Sequence, residues 1–493
     1  MGELLLGLDI GTASSQAVLA QPDGLVVASA QQRHRTSMPR PGWAEHDAEA
    51  VWWHDVKALC DSVLSPQTRD DLAAVCVSGI GPCLLPCDAR LRPLRPAILY
   101  GIDRRAQEEI DELNDRYGEE NILQRGGSAL SSQAIGPKLL WVQRHEPEVW
   151  ARTAGWYMAS SFVAARLSGE YVLDHHSASQ CDPLYDIEES DWAPDWADEL
   201  SGRVPLPRLV WPTEVVGAIT QAGARESGLP AGVPVVAGTI DAWAEACSVG
   251  VRRPGDTMLM YGTTMFIVGV CSRPVVHEKL WSTTGVDPGS RCVAAGMATS
   301  GALTEWLRGL GGGVSIETLV REAAETPAGA NGLLALPYFA GERSPLFDPN
   351  ARGVIAGLSL SHGRRHIARA IYEATAFGVR HNLETIAAAG AKQRRIVAVG
   401  GGASGGFWPQ VVSDVVGVDQ VLPVHTIGAS YGDALMAGIG IGLLPADADW
   451  TVARLTIAPR NEHRALYDHL YRLYRELYLD TAEVSHRLAE LQR

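Results

Sequence analysis

No apolar stretch of this chain reaches the roughly 20 residues needed to cross a bilayer. Nor does a positively charged segment precede the N-terminal apolar run, as a secretory leader requires. Basic residues are in deficit: 42 Lys and Arg against 57 Asp and Glu leave a formal net charge of −15. That balance excludes an extended nucleic-acid-binding face but leaves room for a local basic pocket that takes phosphate. The eight cysteines (60, 76, 83, 87, 181, 247, 271 and 292) contain no CxxC pair, and Cys83 and Cys87 lack a second pair to complete a zinc site. The expectation is reduced thiols in a cytoplasmic protein, with no nucleic-acid or membrane partner. Also missing are the G-x-x-x-x-G-K-[ST] and G-x-G-x-x-G spacings of common nucleotide loops. What is present is a 493-residue chain, 46% hydrophobic, enough for two or three well-packed domains.

The stretch that organises the chain is near its start. Leu4-Leu5-Leu6-Gly7-Leu8 reads as a strand that delivers Asp9 into Gly11-Thr12-Ala13-Ser14-Ser15, and Ala17-Val18-Leu19-Ala20 resumes a strand. Backbone N–H groups and hydroxyls in such a turn can grip phosphate oxygens while the carboxylate holds Mg²⁺, often through water. An ordinary hairpin with a polar turn fits the same residues. Residues 257–268 repeat the pattern around Tyr261-Gly262-Thr263-Thr264. Between the two copies, a compact strand at 233–238 is followed by Asp241, just past a strand end, where α/β sheets place their ligands. Helix capping is the other reading of Asp241.

Residues 72–78 read as a buried strand, and strand–helix–strand order implies an α/β domain with a mixed sheet. Asp103 reads as the N-cap of the helix after it. Residues 174–212 read as loops and short helices, with His175 and His176 on a solvated loop rather than in a metal cluster with Cys181 and Asp182. A strand at 396–399, then the glycine run 400–406, then a helix make a nucleotide-cradling arrangement that is weak alone. The stripe of Tyr467, Leu470, Tyr471, Tyr474, Leu477 and Tyr478 reads as helix packing.

Together these pieces resemble the FGGY family of carbohydrate kinases over nearly the whole chain. Asp9-Ile10-Gly11-Thr12 looks like its first phosphate hairpin and Tyr261-Gly262-Thr263-Thr264 like its second. Gly341-Glu342-Arg343-Ser344-Pro345 with Arg352-Gly353 resembles its C-terminal signature, and Gly400-Gly401-Gly402-Ala403 with Trp408 and Gln410 its adenosine motif. Residues 94–99 and 137–148 look most like the xylulokinase branch, while 41–47 is shared with glycerol kinases.

The resemblance implies an α/β fold of two actin-like (ribonuclease H-like) ATPase domains of the sugar kinase/Hsp70/actin superfamily. Residues 1–246 would carry the sugar site and first hairpin, residues 247–493 the ATP and adenosine site, with a cleft between them. The implied reaction is ATP-dependent phosphorylation of a ketopentose such as xylulose, with Asp241 as catalytic base and Asp9 serving Mg²⁺. Gly11, Thr12, Ser14, Ser15, Gln16, Thr263, Gly301, Gly401, Gly402 and Ala403 would hold ATP. Gly81, Pro82, Tyr100 and Arg104 would join Asp241 around the sugar. Other polyols or ketoses (ribulose, a pentitol, a larger ketose) and a weakly catalytic sugar- or nucleotide-binding protein are the alternatives; a homodimer is the family-level expectation.

The chain departs from the family at three places. Gln16 stands where the best-known members carry Lys or Arg, so the position brings no charge to a phosphate. Ile80, Gly81 and Pro82 replace the Gln-Met-His of xylulokinases and the Gln-Arg-Glu of glycerol kinases, which excludes glycerol recognition by an Arg/Glu pair there. Ala242 replaces a polar amide. The small Gly81 and Ala242 would widen the pocket.

Overall fold

The computed structural model describes residues 3–492. Strand β1 (Leu4–Ile10) is buried along its whole length, as an unbroken apolar run demands of a central strand covered on both faces. It pairs antiparallel with β2 (Ser14–Ala20), placing Asp9 directly opposite Gln16, and β2 pairs with the edge strand β3 (Val26–Arg33). Helix α1 (His54–Val63) leads into β4 (Leu72–Gly79), which returns parallel to β1. Helix α2 (Ile135–His145) belongs to a long insertion before β5 (Val215–Ala218) and β6 (Pro234–Val236), and α3 (Asp241–Ser248) follows at once. The first sheet therefore runs β5-β6-β4-β1-β2-β3.

The second half reuses this plan. Strands β7 (Asp256–Tyr261) and β8 (Met265–Cys271) form an antiparallel hairpin like β1–β2. Strands β9 (Trp281–Thr284) and β10 (Arg291–Met297) extend the sheet, and helices α4 (Gly301–Leu310) and α5 (Arg364–Ala388) follow. Strand β11 (Arg395–Val399) then lies parallel to β7, as β4 does to β1. After α6 (Phe407–Val416) come β12 (Gln420–Pro423), α7 (Ala429–Gly440), β13 (Ala453–Ile457) and α8 (Arg464–Glu490). The order is β9-β10-β8-β7-β11-β12-β13.

Two helices join the halves. Helix α7 lies directly on β1: a Cβ on Gly7 would come within 1.9 Å of the Ser430 carbonyl. Its Gly432 meets α3 equally closely, at the Ala244 carbonyl. Only glycine permits such backbone approach. One apolar cluster accordingly mixes Leu5 and Cys76 with Trp243, Met258, Val397 and Met436. The division expected after residue 246 falls inside α3, and α7, from the second half, packs on the first half's sheet.

Two local expectations change. Asp103 caps no helix; the next one starts at Gln107, and the carboxylate instead accepts from Ala44 N at 2.7 Å and pairs with Arg105. His176 is not on a solvated loop. It is wholly buried in a short helix (His175–Ala178), its ring 4.0 Å from that of Trp243. The tyrosine stripe of α8 packs as expected, with Tyr467, Tyr471 and Tyr474 against Phe377 of α5. All eight cysteines are buried and unpaired. Among the described residues no helix is long and apolar enough to cross a membrane.

Candidate functional site

A cavity of about 400 Å³ opens between the two halves. Asp9 reaches it from the end of β1, Gln16 from β2, Gly81 and Tyr100 from loops, and Asp241 from the first turn of α3. The second half contributes Met260, Thr264 and Phe266 from its hairpin, Arg343 from the 341–345 loop, and Gly428 and Ala429 from the start of α7. The cleft therefore brings Asp9, Gln16, Gly81, Tyr100 and Asp241 together on one surface.

Carboxylates dominate its floor. Burial pushes Asp241 up to about 6, with the Ala242 N–H, 2.7 Å from Oδ1, pulling the other way. Glu245, one turn along α3, is raised to about 7 by burial and by the charge of Asp241. Asp9 is raised well above the usual carboxylate range by burial and by the Asp241 and Glu245 charges, partly offset by Ser78. Burial raises all three acids, and the charge of Asp241 adds to the rise of Glu245 and Asp9, so the site is one that a divalent cation would relieve. No set of three ligating side chains surrounds a point among the described residues. Asp9 and Asp241 offer the one or two carboxylates around which Mg²⁺ would keep its waters and phosphate oxygens.

The first hairpin turn is gripped from behind. His34 Nε2 lies 3.1 Å from the Gly11 carbonyl and Nδ1 2.7 Å from Asp55 Oδ2. Thr36 donates to the Thr12 carbonyl at 3.1 Å and lies 3.1 Å from His46 Nε2, while Trp52 donates to His46 Nδ1. His46 is thereby held as a neutral ring, its pKa lowered to about 4 by burial and by His34. The Gly11 and Thr12 carbonyls are engaged on this side, and the Gly11 N–H donates to the Ser14 carbonyl at 3.1 Å. Thr12 and Ala13 at the tip of the turn are thus placed to offer N–H groups to an anion.

At the second hairpin, Gly301 N and Ala302 N donate to the Gly262 and Thr263 carbonyls, seating α4 against the turn. A Cβ on Gly400 would strike the Tyr261 carbonyl at 2.7 Å, so the glycine turn Gly401–Ala403 sits on the end of β7. A Cβ on Gly401 would meet nothing within 4 Å, so a flat ring can approach the backbone there. Thr263, Gly301 and Gly401–Ala403 are thus neighbours around one strand end.

Some expected site residues lie elsewhere. Ser15 alternates to the opposite face of β2, fully buried, and its hydroxyl donates to Asp55 at 2.8 Å. Gly11, Thr12 and Ser14 remain on the turn; Thr12 Oγ1 is 3.0 Å from Tyr100 Oη. Pro82 is buried and Arg104 is on the surface, neither lining the cleft. The adjacent Arg105 is the buried cation, paired with Asp103 and Glu45 and lying over Trp43. Gly81 does not widen the pocket as expected, because Ile240 fills the space of its missing side chain, 2.7 Å from where a Cβ would stand.

The opposite wall is formed by Ser131, Gln133, Gln180 and Asp182 from the insertion, and by Arg343. Arg343 is visible in the signature loop, where buried Glu342, raised to about 8 by burial, accepts from Ala298 N and Arg343 N at 2.7 Å. The insertion residues belong to no motif that marks them.

The family model of the FGGY carbohydrate kinase N-terminal domain matches residues 4–247, and that of the C-terminal domain residues 257–441. Xylulose kinase of Escherichia coli K12 is 31% identical over 447 residues, covering 88% of this chain and 90% of that protein. A glycerol kinase of Nocardia farcinica is 29% identical over 461 residues, 90% of this chain and 91% of its own. The crystal structure of xylulose kinase from Rhodospirillum rubrum superposes with a TM-score of 0.90 at 32% identity, over 98% of this chain and 100% of that one.

Proposed function

The chain belongs to the FGGY family of carbohydrate kinases and is an enzyme that phosphorylates a sugar; from that premise we propose that it transfers the γ-phosphoryl group of ATP to a hydroxyl of xylulose or a closely related ketopentose. The observation that carries this reading is Asp241, a carboxylate at the start of α3 that faces the cleft between two Gly-Thr hairpins. With a pKa of about 6 it is ionised at neutral pH and still basic enough to accept a proton. A sugar hydroxyl placed against it loses its proton to Asp241 as its oxygen attacks phosphorus.

In this reading Asp9 holds the metal, and Mg²⁺ when bound neutralises phosphate charge. Gly11, Thr12, Ser14, Gln16 and Thr263 hold phosphate oxygens, and Gly301 with Gly401–Ala403 lines the nucleoside. Arg343 is the cation that reaches the cleft from the second half. Closure of the halves excludes water, which would otherwise compete with the sugar for the phosphoryl group. Xylulose is favoured over glycerol by the relatives named xylulose kinase, and Ile80, Gly81 and Pro82 provide no Arg/Glu pair for glycerol.

A coupled ADP-release screen of ketopentoses, pentitols, hexuloses, a seven-carbon ketose and glycerol tests the reading. The expected outcome is the highest kcat/KM with xylulose. Asp241→Asn should lose about 10³-fold in kcat, within the range for a general base, with unchanged thermal melting. Full activity in that variant would remove Asp241 as base. Sugar-dependent stabilisation without ADP release from any sugar would favour a binding protein instead.

A further inference from the structure

The wall of the cleft that the mechanism does not use holds a buried acceptor with nothing to accept from. Asp182 lines the cavity, is 5% exposed, and its Oδ1 has no hydrogen-bond partner among the described residues. Gly126 leaves room for that oxygen, since a Cβ there would lie 1.9 Å from it. Burial alone acts on the carboxyl group and raises its pKa. Its backbone is held in place, since the Asp182 carbonyl accepts from Gly136 N at the start of α2. Oδ1 is packed against Gly126, away from any ligand, so Oδ2, which also makes no hydrogen bond among the described residues, is the oxygen left to meet a donor on a ligand.

The side chains around it have their hydrogen-bonding directions set. His176 Nδ1 is 2.8 Å from the Thr284 carbonyl, so that nitrogen carries the hydrogen and Nε2 is left with a lone pair. Gln180 Nε2, 2.9 Å away, donates to it, which leaves the Gln180 carbonyl oxygen as the free end of the amide. Gln133 is turned the other way: its oxygen accepts from Gly101 N, leaving its NH₂ free. The segment carrying Gln133 is clamped by Lys138, whose buried ammonium donates to the carbonyls of Ser132, Gln133 and Ala134. Two acceptors and one donor thus line a wall of the same cleft as Asp241, while the 80–82 loop offers no polar side chain.

Resting on the sugar-kinase reading, we propose that Asp182 is a specificity-determining residue: it accepts a hydrogen bond from one hydroxyl of a neutral polyhydroxylated chain, with Gln180 accepting from a second. Hydroxyl recognition is thereby carried by the 176–182 segment rather than by the loop at 80–82. A site with a fixed partner for a hydroxyl discriminates strongly against an analogue that lacks it.

The test is a double-mutant cycle between protein and substrate, using xylulose and its monodeoxy analogues against wild type, Asp182→Ala and Asp182→Asn. Wild type should lose about 100-fold in kcat/KM with one analogue, a difference of about 2.7 kcal/mol. Asp182→Ala should be slow with xylulose, mostly through KM, yet treat xylulose and that analogue alike within about threefold. Asp182→Asn, which keeps an acceptor oxygen, should restore part of the preference. If every analogue is penalised equally in wild type and Asp182→Ala, or if wild type ignores them all, the proposal is wrong. Should Asp182→Ala fail to melt cooperatively, the asparagine variant carries the cycle, and an unchanged analogue ranking overturns the proposal. If no sugar is turned over, the kinase reading fails separately, and the same cycle is read from calorimetric Kd values.

Discussion

The Ser78 hydroxyl, near the cleft end of β4, donates to Asp433 Oδ2 of α7 at 2.6 Å. The same oxygen lies 3.3 Å from Asp9 Oδ1, so one side chain links the proposed metal ligand to a helix from the second half. Ser78→Ala removes the hydroxyl partner of a buried carboxyl group, leaving it the Cys76 thiol and the residue 78 N–H, and should cost about 1 kcal/mol in chemical denaturation. Asp433→Asn still offers the hydroxyl an amide and should unfold nearer to wild type. Equal losses in the two variants would show that the contact has no such role.

Asp241, with its pKa of about 6, sets an acid limit on activity. Protonated, it cannot take the proton of a sugar hydroxyl, so kcat/KM for the sugar should fall as pH drops through about 6 and level off above about 7. The check is a profile from pH 5 to 8 at saturating Mg-ATP. A flat profile over that range contradicts the assignment.

His34 and Asp55 hold the Gly11 carbonyl away from the cleft, and burial opposing Asp55 ionisation is outweighed by the bonds from His34, Ser15 and His54. Loss of one such bond, worth roughly 1 kcal/mol, should loosen the turn. Asp55→Asn is expected to raise KM for ATP about fivefold, since 1.4 kcal/mol is tenfold, with KM for the sugar unchanged. A matching rise in both constants would point to general damage instead.

Three buried histidines make stability fall on acidification. Burial is the leading cause that lowers His46 to about 4 and His176 and His381 to about 3, from an ordinary 6.5. Above pH 6.5 both states are neutral and nothing is lost. Between 6.5 and these lower values only the unfolded chain takes up protons, so stability declines by up to about 1.4 kcal/mol per pH unit for each ring. Urea unfolding at pH 7, 6 and 5 should show this. His381→Phe, which keeps an aromatic ring in place of the titrating one, should flatten the slope by one proton; an unaltered slope would exclude His381.

Much of the site was legible because it is local. A strand ending in Asp9, a Gly-Thr turn and a returning strand are neighbours in the chain, and the copy at Tyr261–Thr264 obeys the same rules. Asp241 follows its strand by five residues and lines the cleft as the strand-end rule places it. Strand parity was missed: the sequence reading places Ser15 and Gln16 together on ATP, but with Asp9 paired to Gln16 in the sheet Ser15 must face the other way, onto Asp55.

The rest depends on distant partners. The choice between Arg104 and Arg105 as the buried cation turns on Glu45, and the burial of His176 on Thr284, 108 residues away. Arg343 and Asp182 share a cavity only because the second half closes over the insertion of the first. Chain order determined the two hairpins and the place of the cleft carboxylate Asp241, because short-range sterics and periodicity decide them. Which side chains stand bare in the cleft, and so which hydroxyls a sugar must bring, was decided only by tertiary packing, because an unpaired buried atom is defined by the partners that folding fails to deliver.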